Sequence, residues 1–287
     1  TNIKTIQLND KVKTIPECMF YCCGELTSIS IPGSVETICK QAFLDCGQLA
    51  TVTMGEGIRK IEMEAFKNNG KLNSISFPST IEEIGSNAFQ NCTSIESLII
   101  GGGTIGSSAF NGCTNLSSIT LNEGVTEIGS SNFSGLTNLA TISLPSTLKK
   151  IGADAFANCA NLTIPGGLPN GLEVIDRRAF SGCKKLNVAI PSTVMTLGQS
   201  AFSSCESLTA VTIPAGVTSL GMYTFSGCTG LTSVTIPSTL KTMSRQEFAY
   251  CSNLTTVTIE NGAETLKMAG DVFYSSPCIN LIIDRPY

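Results

Sequence analysis

Apolar residues recur along this chain with two interleaved spacings. The stretch "LTSVTIPSTL" at 231–240 is nearly repeated as "LTAVTIPAGV" at 208–217 and "LTSISIPGSV" at 26–35. Apolar side chains stand at the first, fourth and sixth positions. The last two alternate with Ser or Thr, as a half-buried strand requires. Pro follows and ends the strand, because it cannot donate to a ladder. Pro32, Pro78, Pro145, Pro191, Pro214 and Pro237 hold that place, each eleven residues before a Phe. Between Pro and Phe the apolar teeth return as V-x-x-I and A-F. Gly85, Gly129, Gly152, Gly198 and Gly221 follow the Ile-type tooth, where glycine permits a turn of positive φ.

The Phe residues give the period. Phe20, Phe43, Phe66, Phe89, Phe110, Phe133, Phe156, Phe180, Phe202, Phe225, Phe248 and Phe273 fall 21 to 25 residues apart, most often 23. One unit cannot bury its own apolar edge, whereas stacked units bury all of them in one continuous core. About twelve copies fill the chain and leave no linker. One repeat domain over 1–287 is expected, with 1–25 and 262–287 as atypical end repeats and the last continuing beyond Tyr287.

The unit "IPxxVxxIGxxAFxxC" resembles the leucine-rich repeat family, and its BspA-type subfamily in particular. "LPSTLKKIGADAFANC" at 144–159 is a close match. The resemblance implies a right-handed solenoid of about twelve coils with a parallel β-sheet on its concave face. At ~4.8 Å per strand that sheet runs roughly 55–60 Å along its arc.

Two coils depart from the pattern. "IGGGTIGSSAF" at 100–110 is two residues short and contains G-x-G-x-x-G at Gly101, Gly103 and Gly106. A dinucleotide site needs a helix to open after the third Gly. The repeat register puts an ordinary turn there, so a coil shortened by glycine is expected. "NLTIPGGLPNGLEVIDRRAF" at 161–180 has a clipped strand and a connection four residues longer than usual. It predicts a weak strand and a bulging loop at 166–171.

Composition removes whole classes of chemistry. The chain has no His and no Trp. The commonest general base and transition-metal ligand are therefore missing, and neither a Ser-His-Asp nor a Cys-His machine can be assembled. The net charge is −4 with no Lys/Arg run, so the footprint of a nucleic-acid binder is missing. No stretch of 18 apolar residues crosses a membrane. No catalytic residue, metal or cofactor is expected. Glu82, Glu83 and Asp154 read as isolated solvent-facing carboxylates.

Thirteen cysteines invite a disulfide or metal reading. Cys23, Cys46, Cys92, Cys113, Cys159, Cys183, Cys205, Cys228 and Cys251 each lie three residues after a ruler Phe, where Asn69, Leu136 and Ser276 stand in other copies. A slot that accepts all four types reads as a packing slot, and free Cys behaves as a small buried hydrophobe. Cys18, Cys22, Cys39 and Cys278 are off-register, and Cys18 or Cys22 with Cys39 is the pair to test for a bridge. No C-x-x-C occurs, which argues against a zinc ribbon. N-x-S/T sequons at Asn91, Asn115, Asn132, Asn161 and Asn253 follow from the repeat itself.

The register also predicts which strand residues point away from the core. They are Ser28, Ser30, Thr51, Thr53, Ser74, Ser76, Ser118, Thr120, Thr141, Ser143, Thr212, Ser233, Thr235, Thr256 and Thr258. They would form two hydroxyl ladders across the concave face, interrupted at Ile99 and near Leu162. Ser and Thr suit a tightly stacked wet sheet, where they can bond across neighbours. They would equally make a polar recognition surface, without the Trp, Tyr and Arg anchors of a strong hot spot. The resemblance implies a non-catalytic extracellular or cell-surface adhesion protein. Its partners would be extracellular-matrix proteins or glycans, and neither nucleic acid nor a membrane. A passive spacer within a larger surface protein is the alternative.

Overall fold

The computed structural model describes residues 2–260, 266–278 and 280–283. Its coils group into two compact units, Thr1–Pro145 and Ser146–Tyr287. Among the described residues there is no helix, and every named strand pairing is parallel. Each unit is a parallel β-solenoid.

Strands in the first unit run β1 Thr14–Ile15, β2 Ser28–Ile31, β3 Thr37–Ile38, β4 Thr51–Met54, β5 Lys60–Ile61, β6 Ser74–Ile75, β7 Glu83–Ile84, β8 Ser97–Ile100, β9 Gly103–Ile105, β10 Ser118–Leu121, β11 Val125–Ile128 and β12 Thr141–Ser143. Even-numbered strands are the expected S-I-x-I segments. They form two three-stranded sheets, β2-β4-β6 and β8-β10-β12. Odd-numbered strands form a second ladder, β1-β3-β5-β7-β9-β11, at the V-x-x-I teeth. The sequence pattern led us to expect one sheet. Most strands of the second ladder are only two residues long, too short for alternation to register as strand.

The second unit carries β13 Lys150–Ile151, β14 Val174–Ile175, β15 Thr196–Leu197, β16 Ala210–Thr212, β17 Ser233–Ile236, β18 Thr242–Met243, β19 Thr256–Ile259, β20 Lys267–Met268 and β21 Asn280–Ile283. Here the face sheet is β16-β17-β19-β21, and the second ladder is split into β13-β14-β15 and β18-β20. No face strand forms between β13 and β16, where the clipped repeat lies. Leu162, Ile164, Leu186 and Val188 are nonetheless buried there. The long connection includes Gly167 at φ +73°, as a bulging loop requires. Of the expected last repeat, residues 262–265, 279 and 284–287 lie outside the described residues.

The ruler Phe residues stack. Phe43–Phe66, Phe66–Phe89 and Phe89–Phe110 have ring centroids 5.0, 5.1 and 5.4 Å apart and planes within 6°. Phe225–Phe248 repeats the geometry at 5.3 Å. The turn that presents each Phe is itself regular. Residues two before and two after it take positive φ, as at Gln41 (57°) and Asp45 (61°), or Glu64 (58°) and Asn68 (62°). Such a conformation costs an L-residue roughly 1–2 kcal/mol. Inter-coil hydrogen bonds offset it: Gln41 N–H to Met63 O at 3.1 Å, Phe43 N–H to Ala65 O at 2.7 Å and Asp45 N–H to Lys67 O at 3.1 Å.

Gly85, Gly129, Gly198 and Gly221 do not use the positive φ that glycine permits. Their role is close approach. A Cβ on Gly85 would lie 2.7 Å from Met63 N, and one on Gly198 would lie 2.3 Å from Arg177 N, both backbone atoms of the preceding coil. In the glycine-rich coil, Gly103 combines φ +80° with a would-be Cβ contact of 2.3 Å to Glu82 O. That segment is strand β9 followed by a turn, not a helix, so the dinucleotide motif lacks its context.

Gly85→Ala is expected to lower the thermal midpoint, while Gly47→Ala, where a Cβ meets nothing within 4 Å, leaves it unchanged or raises it. Phe89→Ala is expected to cost about 3–5 kcal/mol, read as a shift in urea midpoint. It would remove a ring stacked on both neighbours and touched edge-on by Phe77 at 5.4 Å.

Candidate functional site

Outward positions of the face strands carry the expected hydroxyls, in register but in three patches. In the first, Ser28 pairs with Thr51 and Thr51 with Ser74, while Ser30 pairs with Thr53. Ser76 is exposed just past the end of β6. In the second, Ser118 pairs with Thr141, and Thr120 with Ser143. Its third strand, β8, adds Ser97 opposite Ser118 and Ile99 opposite Thr120. The second unit holds the third patch. There Ser233 pairs with Ala210 and Thr256, and Thr256 with Asn280, while Thr212, Thr235 and Thr258 form a column that ends at Ile282.

Ser97 was missed in the sequence reading, although it occupies the same register after Ile95. Ile99 interrupts the column as expected and is 63% exposed. Ser28, Ser30, Thr51, Thr53, Ser74, Thr120, Thr141, Ser143 and Thr212 are exposed, and Ser118, Ser233, Thr235, Thr256 and Thr258 are half-buried.

Hydroxyls one residue earlier are used differently. Ser117 Oγ donates to Glu96 O at 3.0 Å, Thr232 Oγ1 to Thr209 O at 3.0 Å and Thr255 Oγ1 to Thr232 O at 3.3 Å. These bonds tie coil to coil. The fifteen outward hydroxyls take no part in such bonding among the described residues, so the expectation that they satisfy one another is not met. Each keeps a donor and two acceptor lone pairs for an external group.

Charge is segregated from this face. No Lys, Arg, Asp or Glu occupies an outward position of the face strands. The second ladder is charged and paired across coils: Lys60 with Glu83 at 3.0 Å, Arg59 with Glu82, and Lys149 with Glu173 at 3.2 Å. Asp154 is held by Arg178 at 3.2 Å. The three carboxylates singled out in the sequence therefore sit in ion pairs. Tyr21, Tyr250 and Tyr274 are about half exposed, the last two touching edge-on at 5.5 Å.

The cysteine slot is more than a packing slot. Cys46 Sγ donates to Phe20 O at 3.0 Å, Cys92 to Phe66 O at 3.2 Å, Cys183 to Phe156 O at 3.1 Å and Cys228 to Phe202 O at 3.1 Å. Asn69 Nδ2 and Ser276 Oγ make the same bond to Phe43 O and Phe248 O, at 2.9 and 2.6 Å. The shared property of Cys, Asn and Ser is a donor, which a reading by size alone does not reveal. Burial pushes the Cys46 and Cys113 thiols up to about 12, so they are neutral and unreactive at physiological pH. All thirteen cysteines are thiols in the structure, including Cys18, Cys22 and Cys39, the residues singled out for a test of bridging. Among the sequons, Asn132 is buried with Nδ2 bonded to Gly106 O and Gly129 O, which closes it to modification.

A family model for the BspA-type leucine-rich repeat region matches residues 1–96, 94–165 and 166–281, in six copies. The chain belongs to the BspA-type leucine-rich repeat family. Solved relatives of the family agree. A leucine-rich repeat protein from Bacteroides ovatus is 25% identical with a TM-score of 0.68, over 95% of this chain and 78% of that one. A leucine-rich cell surface protein from Faecalibacterium prausnitzii is 25% identical with a TM-score of 0.52, over 96% and 83%. The T. pallidum leucine-rich repeat protein is 33% identical with a TM-score of 0.50, over 53% and 72%. No curated protein matches the chain. Leucine-rich repeat proteins of this kind are generally non-catalytic scaffolds for protein interaction. Among the described residues no helix is long and apolar enough to cross a membrane.

Cys92→Val keeps the volume but removes one of two donors to Phe66 O, the other being Asn69 Nδ2 at 2.6 Å. It is expected to cost about 0.5–1.5 kcal/mol, while Cys92→Ser, which keeps a donor, costs less. Urea denaturation of the two variants side by side measures the difference.

Proposed function

We propose that the uncharged hydroxyl face is the docking surface of a non-catalytic adhesion protein of the cell surface or the extracellular space. The observation that carries this reading is the contrast between the two ladders. Charged residues of the second ladder are paired between coils, as Lys60 with Glu83 and Lys149 with Glu173 are. The Ser and Thr columns of the face are in register, outward-pointing and unbonded. A row of unspent donors and acceptors fits a polar protein or glycan partner of the extracellular-matrix kind. The F. prausnitzii relative, described as a cell surface protein, supports the location.

With no aromatic or Arg anchor on the face, each contact contributes little and affinity comes from area and repetition. With no charge on it, screening by salt has little to act on. The purified chain is expected to bind at least one matrix protein or surface glycan in an array at physiological salt. Binding should hardly change when the salt is raised further. A variant with Thr51, Ser74, Ser118 and Thr141 changed to Lys should lose that binding while staying folded, with a lowered melting temperature because the new like charges stand opposite one another in the two pairs. Binding that survives the four lysines would move the site off the face. No binding to any member of the array would favour a spacer role.

A further inference from the structure

From Phe43 to Phe273 the residue before the ruler Phe is buried, wedged between coils, and in most coils it is small. It is Ala42, Ala65, Ala88, Ala109, Ala155, Ala179 and Ala201 in seven coils, all fully buried. Two polar replacements are neutral. Asn132 Nδ2 donates to Gly106 O and Gly129 O while its Oδ1 has no partner, and Thr224 Oγ1 donates to Gly221 O at 2.6 Å. The third replacement, Glu247, can carry a charge. It is fully buried; Oε1 accepts from Ser244 N–H at 2.5 Å, and Oε2 has no partner.

That bond takes up one inter-coil donor. At three other steps of the second unit the residue after the inward aliphatic tooth donates its N–H to the tooth one coil earlier, whereas Gly221 makes no such bond to Leu197 O. Asp176 bonds Ile151 O, Gly198 bonds Ile175 O and Ala269 bonds Met243 O, at 2.9–3.1 Å. The Ser244 N–H, which would bond Leu220 O, is taken by Glu247 instead. Leu220 O is left with the weaker Ser244 Oγ contact at 3.2 Å. The second ladder is interrupted between β15 and β18; across the Glu247 step it is reduced to an isolated bridge from Ser219 to Thr242, and the step before it has no bridge.

We propose that Glu247 makes the step between the Phe225 and Phe248 coils an acid-closed joint, shut while the carboxyl carries its proton and loosened as the proton leaves. A neutral acid is tolerated in the wedge, whereas an ionised one with an orphan oxygen is not. Burial pushes the carboxyl up to about 8 from an ordinary 4.5, against a smaller opposing effect of the Ser244 N–H. The ionisable groups on its own coil, Lys241, Arg245, Tyr250 and Cys251, and those on the adjacent coils, Tyr223, Cys228, Glu260, Lys267, Asp271 and Tyr274 among them, do not contribute to that displacement. The closed joint holds more protons than the open one between about pH 4.5 and 8. Closure is therefore complete at the acid end and weakens through that window, up to tenfold per pH unit.

The chain carries its own reporter. Cys251 Sγ spans this joint to Phe225 O at 3.2 Å, whereas Cys183 and Cys205 span earlier steps of the same unit. Labelling of the full chain with dithiodipyridine, mapped by mass spectrometry, compares the three thiols from about pH 5 to about pH 8. The ratio of Cys251 to Cys183 and Cys205 labelling should climb several-fold per pH unit. It should be flat in both Glu247→Ala, which restores the common residue, and Glu247→Gln, which keeps the shape without the charge. An equal pH dependence of all three thiols would overturn the proposal. So would a rising ratio that persists in whichever variant folds.

Discussion

Like stacks on like in each unit, and every slot of the repeat must be compatible with a copy of itself one strand spacing away. This self-compatibility governs most of the residue choices. Phe stacks on Phe because offset parallel rings attract. A slot with a fixed sign of charge would place like charges opposite one another, which is destabilising. Charged slots therefore alternate in sign from coil to coil, as Arg59 over Glu82 and Lys60 over Glu83 do, and the remaining columns are neutral. The wedge before Phe stays small because two coil backbones close on it. The hydroxyl face satisfies the same constraint and at the same time offers unspent hydrogen bonds to a partner.

The period, the strand register and the outward residues were legible in the sequence because each is a matter of side-chain alternation repeated many times. What was hidden depends on backbone or on chemistry that a pattern of sizes does not encode. The second ladder is made of strands too short to alternate. Gly85 and Gly198 are required by the approach of a neighbouring backbone, and that approach leaves no trace within one repeat. The Cys slot was read by volume; only the distance from sulfur to the Phe carbonyl of the previous coil reveals a donor position. Ser97 was passed over because its neighbour Ile99 made the strand look broken.

The same distinction separates the two uses of hydroxyl groups. Ser117, Thr232 and Thr255 sit one residue before the strand and reach back to the preceding coil. One step along the chain, Ser118, Ser233 and Thr256 face away from it. Side chains of one kind are thus structural or available according to a single residue of register. An outward site on such a scaffold can be edited without touching what holds the coils together.

The turn around each Phe sends its backbone hydrogen bonds to the next coil, as Phe43 does to Ala65 and Phe66 does to Ala88. Force applied along the stacking direction therefore falls on whichever coil boundary is outermost, and the boundaries give way in sequence. Each released coil frees about one repeat of slack chain before the next is loaded. Under tension a unit built this way lengthens in steps and dissipates work at every one, in contrast to a domain whose strands must all shear together.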